Sequence, residues 1–256
     1  MNKIISRVKE LFPLIMLAMT LVLIFVPLPI MVIQVLIIFN IGFSLFLFFQ
    51  KFLNSMTIAY YFPKLVLYFS LLTCGLAIAT TRTFLSLSDL IEHIPVIVFI
   101  GNWICRENYV CGFFTTLLLC ISLIIYCRGY VYKSQSAAAR LFLDGVSAKK
   151  LNIKHQVEQM KITEEEGKEQ EAKVNQELEH YSSMDGSAKF LLGTMVVFAV
   201  LFIVAVTGGT AVGVLDQGLS WHDALNQYVM LSSGYLILFV VPLFLTSLGF
   251  KTIVEK

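Results

Sequence analysis

The sequence predicts an all-α, multi-pass helical membrane protein, and three observations support this fold class. First, 57% of the 256 residues are hydrophobic and only 14% are charged, whereas soluble domains carry about 25% charged residues. Second, long runs lack Asp, Glu, Lys and Arg altogether, and a helix of about 20 apolar residues crosses a bilayer. These runs are residues 12–50, 65–81, 108–127, 190–215 and 224–250. Third, more than half of the charged side chains lie in one block, residues 128–189.

The first apolar run is long enough for two spans, and two prolines divide it. Pro27 and Pro29 flank Leu28 in the middle of the run. A proline inside a helix removes a hydrogen bond and clashes with the preceding turn. We therefore predict a tight hairpin tip at these prolines, between spans at residues 11–26 and 30–49.

The remaining membrane segments follow from the same criteria. Pro63 suits the first turn of a third span, which we expect to run to about residue 81. A short interfacial or re-entrant helix is expected at residues 94–104. The other predicted spans cover residues 110–126, 190–206 and 228–253.

These spans predict three regions and an orientation. They are an N-terminal transmembrane region of four spans at 1–127, a cytoplasmic charged loop at 128–189, and a C-terminal transmembrane region of two spans at 190–256. Of all Lys and Arg residues, only Arg82 and Arg106 then fall on the outer side. Positive charges concentrate on the cytoplasmic side of membrane proteins. The asymmetry predicts six spans with both termini in the cytoplasm.

The charged loop contains a clear helix start. Thr163 followed by Glu166 is a capping box, in which each side chain bonds the other residue's backbone N–H. We expect a polar, exposed helix from 164 to about 181. Such charged faces are usually just solvated, so this helix alone does not predict a binding site.

No pattern in the chain predicts catalysis. The sequence contains no nucleophile elbow, Walker loop, zinc-protease motif or dinucleotide-binding turn. We therefore expect no enzyme activity, no cofactor, no metal and no nucleic-acid partner. Two of the five cysteines, Cys105 and Cys111, flank a short polar turn. They could form a disulfide or remain free thiols, and the sequence does not decide between the two.

Several motifs occur together in a specific order, and together they resemble one family. The loop holds Ala-Arg-Leu-Phe-Leu-Asp-Gly with Arg140 and Asp144, and its end holds Met-Asp-Gly-Ser-Ala-Lys-Phe with Asp185, Gly186 and Lys189. The others are the Val-Pro-Leu-Pro tip with Pro27 and Pro29, Ala-Thr-Thr-Arg ending at Arg82, Ile-Thr-Glu-Glu-Glu at 162–166, and Gly208-Gly209. This pattern resembles the membrane half of the bacterial type III export-gate family, also known as the FHIPEP family.

The resemblance implies a function and partners. Members of this family are large inner-membrane subunits of flagellar and virulence-associated secretion systems, and they help to move unfolded substrates outward using the proton-motive force. We therefore expect a bacterial inner-membrane protein that contacts the lipid bilayer and other export-apparatus subunits. A homo-oligomeric ring is also expected. The resemblance covers about residue 20 to the end of the chain, whereas family members continue beyond it, so we expect a shortened member.

The chain departs from the family at membrane positions where the family carries charged or polar residues. The family has carboxylates where this chain has Gln34, Thr194 and Tyr235, and an arginine and an asparagine where it has Thr73 and Ala77. A proton relay needs groups that titrate. We therefore expect a structural or assembly role with impaired proton coupling.

Two alternatives stay open at this point. The chain could be a degenerate, non-functional remnant of such a subunit. It could also be a small-solute transporter, although the halves show no internal repeat of the kind such proteins often have.

Overall fold

The computed structural model describes residues 2–49, 56–86, 95–106 and 108–254, and every regular element in these ranges is a helix. The fold class predicted from the sequence is therefore confirmed. In chain order the helices are α1 (Asn2–Phe25), α2 (Ile30–Phe49), α3 (Met56–Ser86), α4 (Pro95–Cys105), α5 (Tyr109–Tyr126), a π-helical turn (Cys127–Tyr132), α6 (Lys133–Glu158), α7 (Glu164–Leu215) and α8 (Trp221–Val254).

The predicted proline tip is confirmed. Helix α1 ends at Phe25 and α2 begins at Ile30, so both prolines lie in the connection. The carbonyl of Pro29 accepts hydrogen bonds from the backbone N–H groups of Val32 and Ile33, at 3.0 and 3.3 Å. A proline can open a helix in this way because the first turn needs no N–H donor at that position.

Helix α3 is longer than predicted. It begins at Met56, so the expectation that Pro63 marks the first turn is wrong. Pro63 lies inside the helix, where its carbonyl accepts a hydrogen bond of 2.7 Å from the hydroxyl of Ser187 in α7. This hydrogen bond joins α3 to α7 beside the proline.

The helix predicted at 94–104 exists as α4, although residue 94 lies outside the described residues. Gly101 of α4 and Gly234 of α8 both face backbone of the other helix, and a Cβ at either would overlap that backbone. Small residues at such crossings let helices approach closely. Cys105 at the end of α4 and Cys111 in α5 are free thiols.

Helix α7 joins two segments that the sequence predicted separately. It has 52 residues, begins with the predicted capping box at Thr163 and ends at Leu215. The expected end near Tyr181 is wrong, because no proline interrupts the chain before the apolar run and Gly186 does not break the helix. The apolar part predicted at 190–206 lies within the same helix, which continues to Leu215. At 1.5 Å per residue, α7 is about 78 Å long.

The predicted region borders fall inside continuous helical structure. Residues 109–158 are helical throughout, with only the π-helical turn at Cys127–Tyr132 between α5 and α6. The border at 189/190 lies within α7. The two long helical segments form an antiparallel pair, and the division into three regions stays a prediction.

Helix α8 lies at the centre of the apolar core. Leu236, Phe239 and Leu243 are fully buried, and they belong to one large cluster with residues of α2, α3, α5 and α7. A second, small cluster of Val146, Ile153 and Val174 joins α6 to the first part of α7.

Among the described residues, five helices are long and apolar enough to cross a membrane. The five segments are Ile30–Phe49, Tyr61–Ser86, Tyr109–Gly129, Glu164–Leu215 and Trp221–Gly249. The apolar part of α1, Pro13–Phe25, is shorter, as is α4. The protein is a multi-pass helical membrane protein, while six spans and cytoplasmic termini stay predictions.

Candidate functional site in the membrane interior and at its edges

Arg82 joins the end of α3 to the proline tip. Its guanidinium Nη1 donates to the carbonyl of Phe25 at 2.8 Å and to that of Ile24 at 3.4 Å. These carbonyls belong to the last turn of α1, where no backbone donor follows in the helix and a positive charge is favoured. The sequence predicted Arg82, Pro27 and Pro29 as separate motif residues, and the structure brings them together.

A surface cleft of about 430 Å³ lies between the tip and the end of α3. Both prolines and Arg82 line it, with Thr83 and Ser86 on the α3 side. Because Arg82 is already bonded to two carbonyls of α1, we interpret its role here as fastening the tip.

The second group of motif residues lies where α7 passes from the charged loop to the apolar run. The ammonium Nζ of Lys189 donates to Asp185 Oδ2 at 2.6 Å, one helical turn away. This hydrogen bond, with the charge of Asp185, raises the pKa of Lys189, and the nearby positive charge of Arg140 opposes the rise. Arg140, Asp185 and Lys189 thus lie within electrostatic reach of one another. The other oxygen of Asp185, Oδ1, is buried without a hydrogen-bond partner in the described part of the chain.

Asp144 and Gly186 do not join this group by contact. Asp144 is exposed on α6. Gly186 is also exposed, and a Cβ there would meet no other atom within 4 Å. Packing in the single chain therefore does not explain why either position carries a motif residue.

Gly208 and Gly209 lie inside α7 and differ in their surroundings. A Cβ at Gly209 would overlap the ring of Tyr228 in α8, whereas one at Gly208 would make ordinary contact with Leu85 at 3.4 Å. Gly213, one turn later, also faces Tyr228. The structure therefore shows close approach of α7 and α8 at Gly209 and Gly213.

Tyr235 occupies a fully enclosed position between α3 and α8. It is 1% exposed, its hydroxyl is joined to that of Thr81 by a hydrogen bond of 3.1 Å, and its ring packs edge-on against Phe84. Thr81 also donates to the carbonyl of Ala77 at 2.9 Å. Two neutral hydroxyls therefore link these helices.

A second polar link joins α2 to α3. Asn40 Nδ2 donates to the hydroxyl oxygen of Thr73 at 2.6 Å, and Thr73 in turn donates to the carbonyl of Phe69 at 2.7 Å. The Asn40 carbonyl oxygen is buried and has no partner among the described residues. Ala77, one turn further along α3, is fully buried.

The remaining departures from the family pattern are also neutral. Thr194 is 3% exposed and donates to the carbonyl of Phe190 in its own helix at 2.9 Å. Gln34 lines a small crevice between α2, α3 and α4. The buried polar side chains at these positions are thus neutral, and the pairs Asn40–Thr73 and Thr81–Tyr235 link different helices.

Asn40 was missed by the sequence reasoning, and Thr81 was noted only as part of the Ala-Thr-Thr-Arg motif, although both lie in charge-free runs. A signal was present, because isolated Asn, Ser and Thr residues in membrane helices often bond across helix interfaces. Which helix each one faces could not be read from a single sequence.

The chain is thus a multi-pass helical membrane protein. Its interior is packed and uncharged over the residues that the structure describes, and a long charged helical hairpin extends from one side. Comparison with known proteins is more specific. The FHIPEP family model matches residues 20–256, and the chain belongs to this family.

Curated relatives support this assignment. The chain is 28% identical to the flagellar biosynthesis protein FlhA of Bacillus subtilis, which it matches over 97% of its own length and 36% of that protein's. It is 26% identical to the low calcium response locus protein D of Yersinia pestis, over 100% of its length and 36% of the relative's. A probable translocation protein, y4yR, of Sinorhizobium fredii is also 26% identical, over 96% and 35%. The chain spans about a third of the length of these relatives. No solved structure matches it significantly.

Proposed function

We propose that this chain is a membrane component of a bacterial type III secretion or flagellar export apparatus, with a structural or assembly role and impaired proton coupling. In this proposal it lies in the inner membrane, surrounded by lipid, in a homo-oligomeric ring with other export-apparatus subunits. Support comes from its membership of the FHIPEP family and from relatives named for flagellar biosynthesis and translocation.

The observation that carries the structural role is the neutral, enclosed environment of Tyr235. A carboxylate can bind and release a proton near physiological pH when its environment raises its pKa, whereas an ordinary tyrosine has a pKa of about 10 and a threonine hydroxyl does not titrate. Tyr235 is held by Thr81 and packed against Phe84. Thr194 is likewise buried and bonded within its own helix.

The charged motif residues have contacts that suit a structural role. Arg82 binds the last carbonyls of α1, and Lys189 pairs with Asp185 beside the apolar run. Neither contact crosses the membrane interior, where a proton path would need titratable groups. This distribution supports assembly over proton transfer.

A chimera tests the proposal within a full-length relative. Residues 20–256 of this chain would replace the matching segment of the Bacillus subtilis relative, in a strain that lacks that relative. We expect the chimera to reach the membrane and to co-purify with the other export subunits, while export of flagellar proteins into the medium stays at the level of the deletion strain. The intact relative is the positive control.

Two outcomes would contradict different parts of the proposal. Restored export would overturn the impaired proton coupling, as would restored export by this chain alone in the same strain. A chimera that is stably inserted but does not co-purify with export subunits would overturn the assembly role and favour a non-functional remnant.

A further inference from the structure

Helix α6 carries an exposed stripe with the spacing of a helix–helix interface. The stripe residues recur at alternating steps of four and three, as in the core positions of a coiled coil. Ala137, Leu141, Asp144, Ala148, Leu151 and His155 make up this α6 stripe, and all six are exposed. Leu141 and Leu151 are 77% and 61% exposed.

Lipid does not account for this exposure. Exposed leucines in the membrane spans face the bilayer, but Leu151 is level with the part of α7 where Glu177 pairs with Lys149. Glu177 precedes Lys189 by about three helical turns. At 1.5 Å per residue, Glu177 and Leu151 therefore lie about 18 Å from the start of the apolar run, on the side of the charged loop. Apolar side chains there are in water unless a protein covers them.

The first part of α7 carries a second stripe on the side that faces away from α6. It has the same alternating spacing and consists of Glu165, Glu169, Ala172 and Gln176, which are all exposed. Val174, by contrast, points to α6 and is buried with Ile153. Lys64 of α3 pairs with Glu179. The α7 stripe lies farther from the apolar run than this ion pair.

The two helices have opposite charge. Basic residues predominate in α6, and acidic residues predominate in the first part of α7. The α6 charges are Lys133, Arg140, Lys149, Lys150 and Lys154 against Asp144 and Glu158. The α7 charges are Glu164, Glu165, Glu166, Glu169, Glu171, Glu177 and Glu179 against Lys168 and Lys173. The basic surface of α6 in one copy is therefore electrostatically complementary to the acidic first part of α7 in a second copy.

Packing within the chain shows how such helices fit together. Lys149 pairs with Glu177 at 3.5 Å, and the ring of Phe142 stacks on that of Tyr181 with centroids 4.5 Å apart. Helices α6 and α7 are antiparallel, and each turns its stripe away from the other. In a second copy placed alongside at the same membrane depth, α7 would lie against the α6 stripe of the first copy.

We propose that the α6 stripe binds the α7 stripe of a second copy of this chain, so that neighbouring copies are joined head to tail. Such a heterologous contact generates a ring when the rotation between copies closes. The proposal rests on the homo-oligomeric ring of the proposed function and names the surface that forms it. Because all copies share one membrane depth, Leu151 of one copy meets Ala172 of the next.

Site-specific cross-linking of the full chain in membranes tests this contact. Two differently tagged chains are co-expressed, one with Leu151→Cys and the other with Ala172→Cys, in a background in which the five native cysteines are replaced by serine. Oxidation should give a disulfide-linked dimer that carries both tags. Each variant expressed alone should give none.

Lys154 and Leu143 provide controls, because both are exposed on α6 but lie outside the stripe. Lys154 is within one helical turn of Leu151, so it lies at nearly the same depth. The pair Lys154→Cys and Ala172→Cys should give no mixed dimer. In a second measurement, Leu151→Glu should abolish cross-linking between other stripe positions, Ala148→Cys and Gln176→Cys, whereas Leu143→Glu should preserve it.

The outcomes separate this proposal from the ring itself. If general lysine cross-linking yields oligomers but the stripe pair yields no mixed dimer, the ring stands and this surface is wrong. If the chain stays monomeric under both treatments, the proposed ring and this surface both fail. Cross-linking of Leu151→Cys to a different protein, without the mixed dimer, would overturn a second copy as the occupant.

Discussion

The charged hairpin and the membrane body use polar groups in opposite ways. In the hairpin, ion pairs such as Lys149–Glu177 and Lys173–Glu169 join side chains that are more than half exposed. In the membrane body, hydroxyls such as those of Tyr235 and Thr81 bond to each other in full burial. Exposed ion pairs contribute little to stability, whereas a buried polar group that loses its partner is expensive.

Mutations should therefore affect stability differently in the two regions. Substitutions at neutral positions of the membrane body should destabilise the protein more than removal of whole charges from the hairpin.

The largest effect is expected for Tyr235→Asp. The change removes a buried aromatic ring and places a carboxyl group among Phe84, Phe239 and Thr81. We expect the free energy of unfolding to fall by about 4 kcal/mol, from the lost packing and the burial of a polar group. Unfolding in mixed micelles, followed by circular dichroism, measures it. Tyr235→Phe, the control, should cost about 1 kcal/mol because only the hydrogen bond is lost. Equal stability of the two variants would show that the site is not a closed neutral contact.

The next effect concerns the crossing of α4 and α8. In Gly234→Ala the new methyl group would overlap the carbonyl oxygen of Ile97, so we expect a loss of about 2 kcal/mol from overpacking. Gly193→Ala is the matched control, since a Cβ there meets no other atom within 4 Å. Alanine is the better helix former, so the control should keep or raise stability by up to about 1 kcal/mol. The same micelle titration distinguishes them, and similar values for both would contradict the close crossing.

A smaller loss is expected when the proline tip is released. Arg82→Ala leaves the carbonyls of Ile24 and Phe25 without their side-chain donor. We expect a loss of about 1.5 kcal/mol, typical of a hydrogen bond to a charged group. Hydrogen exchange should also speed up in the last turn of α1. Arg106→Ala, the removal of the other arginine predicted on that side, should change neither measurement. An unchanged rate in the Arg82 variant would mean that the guanidinium does not hold the tip.

Much of the fold was predictable because the physical signals are local. Charge-free runs predict membrane helices, and two prolines in the middle of a run long enough for two spans predict a tip. Thr163 and Glu166 predict the start of α7, which the structure confirms with both hydrogen bonds of the capping box. Each of these signals depends only on residues close together in the chain.

The wrong boundaries had a common cause. The sequence offered a composition change near residue 189 and a proline at 63, and both were interpreted as helix ends. Helix α7 continues through the composition change because backbone hydrogen bonding does not depend on side-chain polarity. Helix α3 continues through Pro63 because prolines are tolerated inside membrane helices. The site was predictable as a set of residues, whereas its contacts join helices distant in sequence, as in the pairs Asn40–Thr73 and Thr81–Tyr235.

The smallest effect is expected for the hairpin ion pair, which tests the other side of the comparison. Glu177→Gln removes the partner of Lys149, but both side chains are about half exposed, at 52% and 53%. We expect a loss of about 0.3 kcal/mol, measured as hydrogen exchange of α6 amides at low salt and vanishing in 1 M salt, where charges are screened within about 3 Å. Lys149→Met should cost more, because Lys149 also lies over the ring of Phe142, 4.6 Å from its centroid, and a cation–π contact is independent of Glu177. A salt-resistant loss above about 1.5 kcal/mol for Glu177→Gln would mean that the hairpin, like the membrane body, depends on a desolvated polar contact.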